Sequence, residues 1–144
     1  MTRHKPFSIR SASWQADRAD LQIVRRQVFI DEQGIPESEE WDDADENSSH
    51  VLVYSEKRDV VGTGRIEPTG KIARLAVIAE YRGQGVGSAI LTRLLEEARR
   101  QGFSQVYLHA QTHALDFYKK FGFVSDEEIF SEGGIPHVIA RLGL

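Results

Sequence analysis

Between Arg82 and Ser88 the chain reads RGQGVGS, with glycine at Gly83, Gly85 and Gly87. The stretch follows the apolar run IARLAVIAEY and leads into SAILTRLLEEARR, whose apolar spacing is helical. A helix begins with N–H groups that have no acceptor inside it, at the positive end of its dipole, so an anion is stabilised there. The three glycines let the backbone come close to a phosphate, and Arg82 adds a charge able to pair with it. Two phosphate chemistries fail on spacing. A P-loop needs Gly-Lys-Ser/Thr after four spacer residues, and no such lysine is present. A dinucleotide fingerprint G-x-G-x-x-G would place glycine where Ser88 stands and an acid after the next strand, where QVYLHAQ has none. Metal chemistry is not expected either: of five histidines only His109 and His113 are four apart, and no H-E-x-x-H occurs.

The elements that must position this turn follow from periodicity and punctuation. Phe7 and Ile9 alternate with polar neighbours as in a short strand, and from Asp17 the residues Leu21, Val24, Val28 and Phe29 form an amphipathic helical stripe ending near Gly34 and Pro36. HVLVYSE, VVGTGRIE and KIARLAVI read as three consecutive strands joined by KRD and PTGK turns. The helix after the glycine turn carries Val86, Ile90, Leu91, Leu94, Leu95 and Ala98 on one face and ends at Gly102. QVYLHA is a further strand, THALDFYKKF a short helix closed by Gly122, and VSDEEIF and HVIARL are two final strands around GGIP. The order β-α-β-β-β-α-β-α-β-β predicts an α+β fold with a mixed α/β sheet, a single domain over 1–144.

With 144 residues, 40% hydrophobic and 28% charged, the chain has the composition of an ordinary globular domain. No window reaches 18 apolar residues, and MTRHKPFSIR lacks the apolar core of a secretory signal, so no membrane association is expected. The absence of cysteine excludes a disulfide or a cysteine nucleophile and makes a cytoplasmic location the default expectation. The net charge of −4 is unevenly spread: nine acids fall between Asp31 and Glu46, and no Lys or Arg occurs between Arg26 and Lys57. An acidic segment of this kind attracts cations and argues against nucleic acid as a partner.

The remaining pattern is Arg-x-x-Gly-x-Gly at Arg82, Gly85 and Gly87, then a helix, then A-x-x-F-Y-x-x-F-G-F at Ala114, Phe117, Tyr118, Phe121, Gly122 and Phe123. Together these resemble the two acetyl-CoA motifs of the GNAT superfamily of N-acetyltransferases. VFIDEQG, WDDADENSSH, KIARLAV, HAQTHALDFYKKFGF and SEGGIPH narrow the resemblance to its ElaA-like branch, from about Phe29 to the C-terminus.

The resemblance implies a single GNAT domain whose mostly antiparallel, twisted central sheet contains a splayed parallel strand pair and is flanked by helices. It implies that the backbone of Leu75, Ala76 and Val77 bonds the pantetheine arm of acetyl-CoA as an added strand would. The pyrophosphate would lie on the backbone of Arg82, Gly83, Gln84, Gly85, Val86, Gly87 and Ser88. Gln111 stands where the family often has asparagine, and Phe117 would pack the core or line the pantetheine channel. Tyr118 would give a proton or hydrogen bond to the departing thiolate. Without a cysteine to carry the acetyl group, direct attack by a primary amine of a small-molecule or peptidic acceptor in a ternary complex is expected. For the base that frees the amine, Glu67 and His137 are the leading residues, beside His50, His109, His113 and a water relayed through the acidic loop. A non-catalytic acyl-CoA-binding module is the alternative, and a homodimer is compatible with the sequence.

Overall fold

The computed structural model describes residues 5–144, so the first four residues of the expected domain lie outside the described residues. Eight strands form one mixed sheet: β1 (Phe7–Ala12), β2 (Ser49–Ser55), β3 (Val60–Ile66), β4 (Lys71–Val77), β5 (Gln105–Gln111), β6 (Val124–Ser125), β7 (Phe130–Glu132) and β8 (Ile135–Gly143). Their spatial order is β1-β2-β3-β4-β5-β8-β6, with β7 also paired to β8. Every pairing is antiparallel except β4 with β5. The helices are α1 (Trp14–Arg25), α2 (Glu37–Glu40), α3 (Val86–Gln101) and α4 (Leu115–Lys119).

The main core lies between α3 and one face of the sheet, where Ile90, Leu91, Leu94 and Ala98 meet Val51, Val53, Val61, Val106 and Leu108. On β3, Gly62 and Gly64 let α3 settle this closely. A Cβ on Gly64 would stand 2.7 Å from Ile90 Cγ2, 2.9 Å from Leu75 Cδ1 and 3.0 Å from Leu94 Cδ1. Gly64→Ala is therefore expected to destabilise the fold by about 1–3 kcal/mol through overpacking. Urea unfolding checks this, and an unchanged midpoint would contradict it.

The opposite face carries α1. The helix starts at Trp14 rather than Asp17, because the Ser13 side chain accepts the Ala16 N–H at 3.2 Å as an N-cap. It continues into a π-helical stretch, Arg26–Glu32, whose extra residue per turn lets the neighbours Val28 and Phe29 both be buried. The expected acidic loop is more ordered than its composition predicted: it holds α2 and a 3₁₀ turn, Asp43–Asn47, with Asp42 capping the latter. VSDEEIF is not one strand. Its ends enter β6 and β7, whereas 126–129 leave the sheet, and β8 begins at Ile135, ahead of the expected His137.

Candidate active site

The sheet opens between β4 and β5. Their parallel pairing consists of Lys71 with Tyr107 and Ile72 with Leu108, and beyond these residues the strands part. A bulge helps to turn β4 away: Thr63 pairs with Ala76 and Arg65 with Ala73, so Arg74 and Leu75 together stand opposite Gly64. Arg74 occupies a left-handed conformation, φ +56°, rare for a residue with a branched-out cationic side chain and held here by its contacts. The β5-facing edge of β4 from Ala73 onward is left without a strand partner. Leu75, Ala76 and Val77, expected to bond the pantetheine arm, lie on this stretch. One acceptor on it is already engaged, since the Val77 carbonyl takes an N–H from Arg82 Nε at 2.9 Å.

After β4 a 3₁₀ turn, Ala79–Tyr81, brings the chain to the glycine turn and then to α3. Gly83 and Gly85 have φ of +73° and +85°, and a Cβ at either would meet no atom within 4 Å. Side chains there would be strained and would fill the hollow that the turn leaves open. Val86 is buried in the core, and a Cβ on Gly87 would lie 3.5 Å from the Phe117 ring, so these two residues seat the first turn of α3. The turn from Arg82 to Ser88 thus presents uncrowded backbone at the start of α3. Gln84 receives the Lys5 backbone N–H on its side-chain oxygen at 2.9 Å. The Arg82 guanidinium forms a bidentate pair with Glu32, at 2.6 and 2.7 Å. That pairing holds the Glu32 carboxyl below its usual range.

Phe117 and Tyr118 lie on α4, which ends with the Gly122 N–H on the Lys119 carbonyl and the Phe123 N–H on the Tyr118 carbonyl. The Tyr118 ring packs edge-on against Phe117, with centroids 5.1 Å apart, and against Phe123 at 5.9 Å. Tyr118 is half-buried, its hydroxyl has no hydrogen-bond partner among the described residues, and burial pushes its pKa up to about 12. The phenol is therefore protonated throughout the neutral range.

A cleft of about 610 Å³ extends from the fork along the α1 side of the sheet. Leu75, Ala114 and Tyr118 line it from the fork, Glu67 and Lys71 from the β3–β4 turn, Glu39 and Asp42 from the acidic segment, and His109, Gln111, Glu132 and His137 from the far wall. Three acids of the acidic segment, Glu40, Asp42 and Asp45, are paired with arginines of α1, β3 and β4. Arg25 pairs with Glu40 at 2.8 Å and Asp45 at 2.6 Å, Arg65 with Asp45, Asp42 and Glu67, and Arg74 with Glu40 and Asp42. Burial acts to raise the Asp42 carboxyl, but Arg65 and Arg74 hold it below its usual range. The acids compensate three arginines and pin this segment across the sheet as one wall of the cleft.

The expected catalytic side chains separate by location. Glu67 faces the cleft with Oε2 on Arg65 Nη2 at 2.9 Å. His137 also faces it, and donates its Nδ1 proton to the Ile135 carbonyl at 2.7 Å. His50 lies under the acidic segment, where its Nε2 donates to the Asp45 carbonyl at 2.8 Å and burial pushes its pKa down. His113 is exposed on the 3₁₀ turn before α4 and does not line the cleft. The Gln111 amide donates to Gln33 at 3.2 Å across the cleft. Sequence reasoning gave no site role to Glu132, whose carboxylate accepts from His109 Nδ1 at 2.9 Å and lies 3.8 Å from His137 Nε2. Among the described residues no group of three His, Asp or Glu is placed to hold a metal ion, and no helix is long and apolar enough to cross a membrane.

A sheet forked between parallel neighbours, opening beside a helix start bared by glycine, is the architecture of acyl-CoA N-acyltransferases. The family model for the acetyltransferase (GNAT) domain matches residues 16–143, and the chain belongs to that family. It is 40% identical over 123 residues to YjcF of Bacillus subtilis, an uncharacterized N-acetyltransferase, covering 83% of this chain and 87% of that protein. It is 33% identical to the protein ElaA of Escherichia coli, covering 80% of each. Its structure superposes on that of E. coli ElaA with a TM-score of 0.82 at 27% identity, covering 93% and 98% of the two chains. An acyl-CoA N-acyltransferase of Pseudomonas aeruginosa superposes with a TM-score of 0.83 at 27% identity, covering 94% and 99%. The protein is accordingly an acyltransferase with a GNAT fold.

Proposed function

We propose that the protein transfers the acetyl group of acetyl-CoA to a primary amine of a small-molecule or peptidic acceptor, by direct attack within a ternary complex. The observation that carries this reading is Tyr118: a protonated phenol without a protein partner, at the mouth of the strand fork and in the wall of the cleft. Acetyl-CoA supplies the activated thioester. The turn from Arg82 to Ser88 would receive its pyrophosphate on backbone amides, and the free edge of Leu75, Ala76 and Val77 would align its arm. Gln111 and Phe117 would border that arm, and Tyr118 would protonate or hydrogen-bond the departing sulfur. Glu67 and His137 face the acceptor side, where a proton must leave the amine.

The cleft favours a cationic acceptor. Its charged lining consists of Glu39, Glu40, Asp42, Glu67 and Glu132 against Arg65, Lys71 and Arg74. That excess of carboxylate draws an ammonium in and disfavours an acidic acceptor. A cytoplasmic setting, where acetyl-CoA is available, belongs to the same reading. A homodimer is a separate expectation that sedimentation tests, since residues of one chain line the cleft.

Acetyl-CoA at 100 times its dissociation constant is expected to stabilise the fold by about 2.7 kcal/mol, a rise in melting temperature of roughly 5–10 °C. Incubation with a panel of primary amines is expected to release free coenzyme A and an N-acetylated product, with cationic amines preferred. A stabilised protein that acetylates no amine would mark a binding module. A protein neither stabilised nor active would overturn the acetyl-CoA reading altogether.

A further inference from the structure

We propose that His109, oriented by Glu132, takes the proton from the acceptor's ammonium. The inference rests on the acetyl-transfer reading above and assigns the step that reading leaves open. His109 follows Leu108, the last β5 residue paired with β4, so it stands where the fork opens. It lies on the face of β5 away from the α3 core, with its ring 22% exposed in the cleft wall. Its Nδ1 is 2.9 Å from Glu132 Oε1. Burial acts to raise the Glu132 carboxyl, but His109, Lys71 and His137 together hold it below its usual range, so it is ionised at neutral pH. An ionised carboxylate only accepts, so the proton of this contact belongs to Nδ1, and the neutral ring keeps its lone pair on Nε2. That nitrogen has no partner among the described residues.

The ring is also fixed. Phe130 meets it edge-on at 5.2 Å, and Phe130 itself stacks on His137 at 6.0 Å, while the β7–β8 pairing holds Phe130, Glu132 and His137 in place. The other bases in the cleft are differently committed. His137 is buried, with Nδ1 on the Ile135 carbonyl and Nε2 3.8 Å from Glu132 Oε2, and Glu67 is bound to Arg65. A positioned acceptor nitrogen, a carboxylate that selects its tautomer and stabilises the imidazolium, and a place for substrate beside it are the parts a general base requires.

In the proposed step one ammonium proton moves to His109 Nε2, and Glu132 balances the resulting charge. The freed nitrogen pair forms the C–N bond to the acetyl carbon and the C–S bond breaks. Tyr118 hands its proton to the sulfur and is restored by the second nitrogen proton. His109 then releases its proton to water, so the products are amide, thiol and one proton.

The test compares two nucleophiles with acetyl-CoA: an α-blocked lysine, whose ammonium has pKa ~10.4, and methoxyamine, which is neutral at the assay pH. His109→Gln is expected to lower kcat/KM for the lysine by about 100-fold and to leave methoxyamine nearly unaffected. Glu132→Gln is expected to give a smaller loss and to move the acid limb of the lysine profile to lower pH, because the imidazolium loses its counter-charge. The groups facing His109 that this profile also contains are Glu132 on β7, His137 on β8, Lys71 on β4 and Tyr107 on its own strand. Equal losses with both nucleophiles, or none with lysine, would overturn the assignment. So would nitrogen NMR of the wild-type protein that finds the His109 proton on Nε2, whether or not the variants fold. Wild-type enzyme inert toward both nucleophiles would overturn the acetyl-transfer reading itself, a result distinct from active wild type with an indifferent His109.

Discussion

Asp45→Ala is expected to lower the unfolding free energy by about 3–5 kcal/mol, a large part of the roughly 5–15 kcal/mol that holds a domain together. Asp45 is 0% exposed, and its Oδ1 receives Arg25 Nη1 at 2.6 Å and Arg65 Nη1 at 2.7 Å. The two guanidiniums are themselves buried, at 1% and 2% exposure. Truncation at Asp45 leaves both without the anion they share. Arg25 retains Glu40 and the flanking rings of Trp14 and Trp41, and Arg65 retains Asp42 and Glu67, yet neither can turn outward to water. Asp45→Asn keeps an acceptor oxygen and should cost less, which separates lost charge from lost hydrogen bonding. Urea unfolding reads both variants as a shift of midpoint at constant slope. A loss for Asp45→Ala below about 1 kcal/mol, the range of exposed ion pairs, would show that water reaches this network.

The same residues mark the limit of what local pattern reveals. The periodicity of VGSAILTRLLEEARRQ and the glycines before it define α3 and its cradle, because a helix face and a positive-φ turn are encoded within a few residues. The meander from β2 to β4 is legible for the same reason, since alternation and polar turns are short-range signals. The fork has no such signature. It depends on Gly64 opposing both Arg74 and Leu75, and on β8 occupying the far side of β5, relations set across the sheet. The run of acids reads only as a segment that attracts cations until Arg25, Arg65 and Arg74 arrive from α1, β3 and β4 to pair with Glu40, Asp42 and Asp45. His109 and Glu132 are 23 residues apart, joined only because β5 and β7 both pair with β8. The candidate residues are therefore visible by type and motif, and their partners across the sheet are not.

Tyr118→Phe is expected to reduce kcat for amine acetylation by about 100-fold or more while acetyl-CoA binding is nearly retained. Phenylalanine preserves the ring that packs on Phe117 and Phe123, so the short helix and the fork beside it keep their shape. What is removed is one O–H donor, which has no hydrogen-bond partner among the described residues. Burial raises the phenol to about 12, so the proton is in place at every pH at which the fold and an amine acceptor operate together. The same burial makes a hydrogen bond to a developing thiolate stronger than it would be in water, because the donor is fixed and the surroundings respond weakly. The pH profile of wild type should therefore show no alkaline limb from this residue in the neutral range, and the variant should keep the wild-type acid limb. Turnover and acetyl-CoA thermal stabilisation, measured side by side, decide the matter. Equal loss of both would assign Tyr118 to binding, and unchanged turnover would remove it from the chemistry and return the leaving thiolate to solvent.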